Sequence, residues 1–263
     1  MGARAALLGL IAALAGTAVL APMANHAQAP AVARDADPLR SPGWRWMATR
    51  YFSGAPIEFD ARVQVKLPTS AEDALNVPVQ VDARALAQPV TEILVFADLN
   101  PITTVLRYRP IHAHPALSFR FKVQQGTPVR AAARTADGVW HIGGAWIDAA
   151  GGGCTAPSIA SGDAQWSDRL GEISARLWPR TDHRRLRFQI MHPMDTGLAD
   201  GIPAFYIERA QVMDEHGQTL AELELFEPVA ENPVITLDLP GNGAVELRAR
   251  DTQGNPFVAE IAP

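Results

Sequence analysis

Apolar and polar residues alternate along much of the chain. In "LSFRFKVQ", Leu117, Phe119, Phe121 and Val123 fall on one face and Ser118, Arg120, Lys122 and Gln124 on the other. That period of two marks a half-buried strand. It recurs in "VPVQVDAR" (Val77, Val79, Val81), "GEISARLWP" (Ile173, Ala175, Leu177), "RLRFQIMH" (Leu186, Phe188, Ile190) and "VITLDLP" (Ile235, Leu237, Leu239). "AVELRARDTQGNPFVAEIAP" offers Val245, Leu247 and Ala249, then turns and returns with Phe257, Ala259 and Ile261. "TEILVFAD" is a mostly apolar run that stops at "LNP". Asp137-Gly138, a strong turn dipeptide, folds "PVRAAARTADGVWHIGGAWID" into a hairpin, and "DEHG" separates two further strand-like runs after "PAFY". A helix competes around "QWSDRLGEISARL", but Gly171 and the alternation after it favour a strand. "SPGWRWMATRYF" reads as an extended arm that packs Trp44, Trp46 and Tyr51 on the body.

The alternation stops after Ala149 and resumes near residue 169. Between them, "AGGGCTAPSIASGDAQ" is Gly, Ser, Ala and Pro with little to bury, a flexible connector. Each flanking block holds about 100 residues of short strands and turns, the spacing of a β-sandwich. The expected organisation is all-β: two sandwich domains, 55–149 and 169–263, joined by a Gly-rich linker, 150–168. An N-terminal arm, 34–54, precedes them. Twenty Gly and 21 Pro suit many short strands better than long helices. A net charge of -5 with 19% charged residues gives no basic patch for nucleic acid.

The first 33 residues read as a secretory signal. Arg4 supplies a positive start, "AALLGLIAALAGTAVLA" the apolar run, and small residues follow. "AQA" ending at Ala29 and "AVA" ending at Ala33 are the candidate cleavage motifs. Export to a periplasm, with no membrane association after cleavage, is the expectation. There the single cysteine, Cys154, cannot form an internal disulfide. An odd cysteine in an exported protein points to intermolecular pairing or a reactive thiol.

Cys154 stands in "AGGGC", behind Gly151, Gly152 and Gly153. Glycines open backbone conformations closed to other residues and leave approach unobstructed. At about 3.3 Å per extended residue, six residues on either side lift the thiol roughly 20 Å from the body. The opposing reading is a small inert hydrophobe. No Lys, Arg or His lies within ten residues of Cys154 in either direction, and Asp148 is acidic. A thiol of ordinary pKa, near 8.5, is only slightly ionised at neutral pH. Nothing local activates it, so a partner's active site is expected to take the proton.

Several quoted segments resemble a known family. "VPVQVDA", "FADLNP", "FRFKVQQGTPVRAAARTADG" and "AGGGC" resemble SoxY. "HPMDTGLADG", "IPAFYIERAQV", "ENPVITLDLPG" and "VELRARDTQGN" resemble SoxZ. These are the two halves of the sulfur carrier of bacterial thiosulfate oxidation. The single-chain order is similar to the SoxYZ-like proteins associated with quinoprotein dehydrogenases. The resemblance covers roughly residues 55–263 and implies immunoglobulin-like sandwiches. It implies a carrier without turnover of its own, with Cys154 holding a sulfur intermediate and Gly151 to Gly153 as its flexible arm. It implies oxidoreductases or cytochromes of the periplasm as partners, and no cofactor or metal. Thr155 follows the cysteine where SoxY has Gly, and the chain continues where SoxY ends. The rival reading is a non-covalent accessory module for a quinoprotein dehydrogenase or its cytochrome, with Cys154 incidental.

Other chemistries are weaker. His112 and His114 in "IHAH" share a face only if extended, and Pro115 favours a solvated loop. Met191, His192 and Met194 in "MHPM" invite a copper reading, but blue copper needs Cys and His close together, and His183 is the first His after Cys154. "HPMDTG" is better explained as the SoxZ-like signature at a domain contact. A Cys–His pair using His141 or His192 conflicts with a nucleophile on glycines, because catalysis needs fixed geometry. There is no phosphate-binding loop and no Gly-x-Ser-x-Gly elbow.

Overall fold

A computed structural model describes Gly2, residues 36–158 and residues 166–263. The expected signal, 1–33, apart from Gly2, and part of the expected linker, 159–165, lie outside the described residues. Among the described residues, fifteen strands build two sheets that face each other across one core. The first half contributes β1 (Ile57–Phe59), β2 (Gln64–Lys66), β3 (Val77–Asp82), β4 (Val90–Ala97), β5 (Thr104–Arg109), β6 (Ala116–Phe121), β7 (Thr127–Thr135) and β8 (Trp140–Ile147). The second contributes β9 (Ile173–Pro179), β10 (Arg184–Ile190), β11 (Ile207–Asp214), β12 (Thr219–Leu225), β13 (Val234–Leu239), β14 (Val245–Asp251) and β15 (Pro256–Ile261).

The alternation dictates the sandwich. In β10, Leu186, Phe188 and Ile190 point into the core while Arg187 stays in water. In β6, Leu117, Phe119 and Phe121 do the same. The fold is thus nearly all-β, a sandwich of two sheets, as the alternation predicts. Around "QWSDRLGEISARL", only a short 3-10 turn, Trp166–Arg169, precedes the turn at Gly171 (φ +79°) and strand β9.

Both sheets run through both halves of the chain. The nine-stranded sheet has the order β1-β8-β7-β4-β5-β12-β11-β14-β15, and the six-stranded sheet β2-β3-β6-β13-β10-β9. Antiparallel pairing of β5 with β12, Tyr108 opposite Leu223, and of β6 with β13, Leu117 opposite Leu237, crosses the boundary. Open strand edges seek partners, and each half satisfies the other's.

Residues 44–52 are not extended but helical. Helix α1 (Trp44–Phe52) buries Trp44, Met47, Ala48 and Phe52, spaced for one helical face. That face packs on Leu94, Phe96, Ala132, Trp140 and Ile142, on the outer side of the large sheet. Covering β4 on both faces explains why "TEILVFAD" reads as a continuous apolar run. Trp46 faces water, and the Tyr51 hydroxyl hydrogen-bonds the Thr103 and Thr104 hydroxyls at 2.7 Å each. Arg130 fixes the helix entry. It is buried, pairs with Asp98 (3.0 Å) and Asp37 (2.7 Å), and holds its guanidinium 4.6 Å from the Trp44 ring.

Candidate functional site

Strand β8 delivers the chain to Asp148, which bonds the backbone of Thr69 and Ala71. The glycines then lie against the segment that follows β6. Gly152 N–H donates to the Gln124 carbonyl (3.2 Å) and Gly153 N–H to the Val123 carbonyl (3.0 Å). Gly151 and Gly152 have φ of +107° and +91°, a region that L side chains rarely adopt. Gly153 is needed for another reason. A Cβ there would lie 2.1 Å from the Ala74 carbonyl oxygen and 2.6 Å from that of Val123. The chain closes in a tight turn, with Thr155 N–H (3.3 Å) and Ala156 N–H (3.0 Å) donating to the Gly152 carbonyl.

The expected exposed, flexible arm is therefore docked in this structure, and Cys154 is 0% exposed. Its N–H donates to Gln124 Oε1 (3.2 Å), and its carbonyl accepts from Thr196 Oγ1 (2.6 Å). Its thiol donates to the Lys122 carbonyl at an Sγ–O distance of 3.6 Å. Burial pushes the thiol pKa up to about 12, and the Lys122 ammonium offsets part of that rise. At neutral pH the docked sulfur is a protonated, unreactive thiol.

Lys122 is the residue that sequence reasoning misplaced. The alternation assigns it to the wet face, yet it is 1% exposed. Strand β6 ends at Phe121, and beyond it the alternation no longer fixes direction: Lys122 N–H bonds the Pro228 carbonyl and Val123 N–H the Ala74 carbonyl. The Lys122 ammonium donates to the carbonyl of Met194. Burial pulls its pKa below the usual lysine value, against the fields of Asp195, Cys154 and Glu231.

The segment opposite the arm is "HPMDTG". Thr196 holds the Cys154 carbonyl, and Asp195 Oδ1 accepts from Ser158 N–H (3.3 Å). Met194, with φ +52°, directs its carbonyl at Lys122, and its Sδ accepts from Ile207 N–H (3.3 Å). His192 Nδ1 accepts from Met194 N–H (3.1 Å), while Nε2 lies 3.6 Å from Asp251 Oδ2. Burial pushes the His192 pKa down, so its ring is neutral at neutral pH. The SoxZ-like signature thus lies at the junction of the halves, wrapped over the cysteine. The two principal anchors of the Cys154 peptide, Gln124 from the first half and Thr196 from this signature, lie 30 and 42 residues away.

The other sequence candidates lie in structural contacts. His112 Nε2 meets Gln218 Nε2 at 2.9 Å, and His114 stacks edge-on with His183. His141 Nδ1 meets Asp60 Oδ2 (2.9 Å), with Glu58 at 3.7 Å. These three offer ligand atoms within 4.8 Å of one another. Arg62 already clamps both Asp60 oxygens, however, supplying the charge a cation would bring. The Arg62 guanidinium holds the Asp60 carboxyl down at about 2 despite partial burial.

Two family models match the chain. That of "Sulfur oxidation protein SoxY" covers residues 48–154 and that of "Sulphur oxidation protein SoxZ" covers residues 179–262. The SoxY match ends on Cys154. Among solved structures, the sulfur carrier protein SoxY from Chlorobium limicola f thiosulfatophilum is 20% identical, with TM-score 0.36, over 41% of this chain and 96% of that one. A β-glucuronidase from Parabacteroides merdae aligns over 76% of this chain and 24% of its own, at 8% identity and TM-score 0.24. No curated protein matches the chain. With a SoxY unit and a SoxZ unit of the sulfur-oxidation proteins in tandem, the chain is a single-chain SoxYZ-like fusion.

Proposed function

We propose that the protein is an exported carrier that presents a sulfur intermediate, covalently bound to Cys154, to oxidoreductases or cytochromes of the periplasm. One observation carries this reading: the SoxY match ends on the chain's only cysteine, set behind glycines that the local geometry requires. The docked arm supports it further. A carrier thiol must survive between partners, and a thiol pushed up to about 12 and sealed from solvent resists oxidation. Chemistry then requires the arm to leave its cradle, and a partner's base to take the proton. The apolar run near the N-terminus supports export.

Burial of the sulfur is the observation that favours the rival reading, an accessory module in which Cys154 only fills space. Intact mass of the protein from its native compartment, before and after reductant, separates the two. An increment that maps to Cys154 and disappears with reductant is the expected result. A bare thiol while the partners are active overturns the carrier reading. Cys154→Ser checks it independently: a carrier loses function with its fold intact, and an accessory module keeps it.

A further inference from the structure

We propose that residues 151–156 form a latch that closes only over a bare Cys154 thiol, held by Gln124 from one half and Thr196 from the other, and that cargo on the sulfur forces it open. The inference rests on the carrier reading and adds a regulation of the same site.

The space around the sulfur leads to this. Sγ is fully buried, so every direction from it meets protein. Along its hydrogen bond the Lys122 carbonyl oxygen lies 3.6 Å away. A second sulfur bonded at about 2.05 Å would sit well inside contact with that oxygen. An adduct also removes the S–H that makes the bond. The backbone cannot retreat to make room. Gly153 already rests on the carbonyls of Ala74 and Val123, so closely that even a methyl group is excluded. On the other side, Thr196 Oγ1 holds the Cys154 carbonyl at 2.6 Å, and Gln124 Oε1 holds its N–H. The peptide is pinned from both flanks, and an added atom has no path except outward with the whole segment.

Two states follow. An empty carrier is closed, with its thiol withdrawn from oxidants. A loaded carrier is open, with its adduct displayed and the Lys122 ammonium uncovered beside the vacated cradle. Removing the cargo restores the thiol and lets the latch close. Enzymes that act on the adduct then meet a displayed arm, while spent carriers withdraw. Gln124 and Thr196 are positioning residues: they touch the Cys154 peptide and not the cargo.

The test uses the full-length protein and methyl methanethiosulfonate as a stand-in cargo. The Cys154 thiolate attacks the sulfenyl sulfur, an S–S bond forms, methanesulfinate leaves with the electron pair, and the thiol proton passes to solvent. Amide hydrogen exchange is then followed over the peptide that contains residues 150–157. The expected result is at least tenfold faster exchange at Gly152, Gly153 and Cys154 in the methylthio form, reversed by reductant. Cys154→Met, a side chain of similar length, should exchange as the loaded form does, and Cys154→Ser as the empty one. In the unmodified protein, Thr196→Val should speed alkylation of the thiol about fivefold and Thr196→Ser should not. Equal protection in the thiol, methylthio and Met forms overturns the latch. That outcome is distinct from failure of the carrier reading, which is decided by the native mass increment alone.

Discussion

Gly153 offers a sharp perturbation of the docked arm. In Gly153→Ala the new methyl carbon would stand 2.1 Å from the Ala74 carbonyl oxygen and 2.6 Å from that of Val123. Neither acceptor is free to move. Ala74 accepts the Val123 amide at 2.8 Å, and Val123 lies just past the end of β6. Overpacking typically costs about 1–3 kcal/mol where neighbours can yield. These neighbours are backbone, so the cost falls at or above the upper end. The cheaper response is for the arm to leave, which gives up the contacts of Gly152, Gly153 and Cys154 but none of the sheet pairing. At about 1.4 kcal/mol per factor of ten, the open population rises at least tenfold and about a hundredfold near 3 kcal/mol. The assay is the rate of alkylation of Cys154 by iodoacetamide at neutral pH, against a short peptide carrying the Gly-Gly-Cys-Thr sequence as the fully exposed limit. The control is Gly126→Ala, whose methyl would meet its nearest neighbour, the Ile147 carbonyl oxygen, at an ordinary 3.5 Å. Gly153→Ala should approach the peptide rate with its strand content intact and a melting temperature lowered by only a few degrees, the loss being capped at the free energy of docking, and Gly126→Ala should stay near wild type. A Gly153→Ala protein that is folded and alkylates at the wild-type rate would refute the docking geometry.

Other outcomes follow from the same groups. Because the docked thiol is pushed up to about 12, its docking is fully present below the ordinary thiol pKa near 8.5 and weakens roughly tenfold per pH unit above it. His192, held down by burial, acts oppositely: its contribution is lost as pH falls below about 6.5. Protection factors for residues 152–154 should therefore peak between these limits, and a flat profile from acid to alkaline pH would contradict both. Lys122→Met removes the charge that favours the thiolate, so the Cys154 thiolate absorbance should appear at still higher pH. At neutral pH the buried ammonium works against folding, its pKa being lowered by burial, so the same variant should denature at higher urea. An unmoved Cys154 titration in that variant would show that the cation does not act on the sulfur. Arg130→Leu leaves Asp37 and Asp98 buried without their partner and should cost about 3–5 kcal/mol in chemical denaturation. A loss below about 1 kcal/mol would place that network in solvent.

The strands were legible because one side of each faces water. Leu186, Phe188 and Ile190 could belong only to a half-buried strand, and their register in β10 follows the pattern residue by residue. Helix α1 was less legible. Trp44, Met47, Ala48 and Phe52 do carry helical spacing, but aromatic residues also suit strands, and Pro42 with Gly43 reads as loop. In the sequence the glycines of the arm signal freedom. At Gly153 the absent side chain serves proximity instead, a property set by Ala74 and Val123, which no local window contains. The same holds for the cysteine. Its burial is produced by Lys122, Gln124 and Thr196, all at least 30 residues away in sequence. Composition near Cys154 could not predict its surroundings, and the alternation that misassigned Lys122 fails where the strand ends.

The pairing of β5 with β12 and of β6 with β13 has a consequence for the segment that joins the halves. Strand pairing and a shared apolar interior join the halves independently of the covalent link through the peptide that connects 149 to 169. A single nick in that peptide should leave the halves associated through a gel-filtration column. The connecting peptide is thereby relieved of mechanical duty. Anchored at both ends, it cannot diffuse away when it lifts, so its return is an intramolecular event governed by a high effective concentration. A free tail searches a hemisphere. A tethered bight samples a short arc and comes back to the same berth.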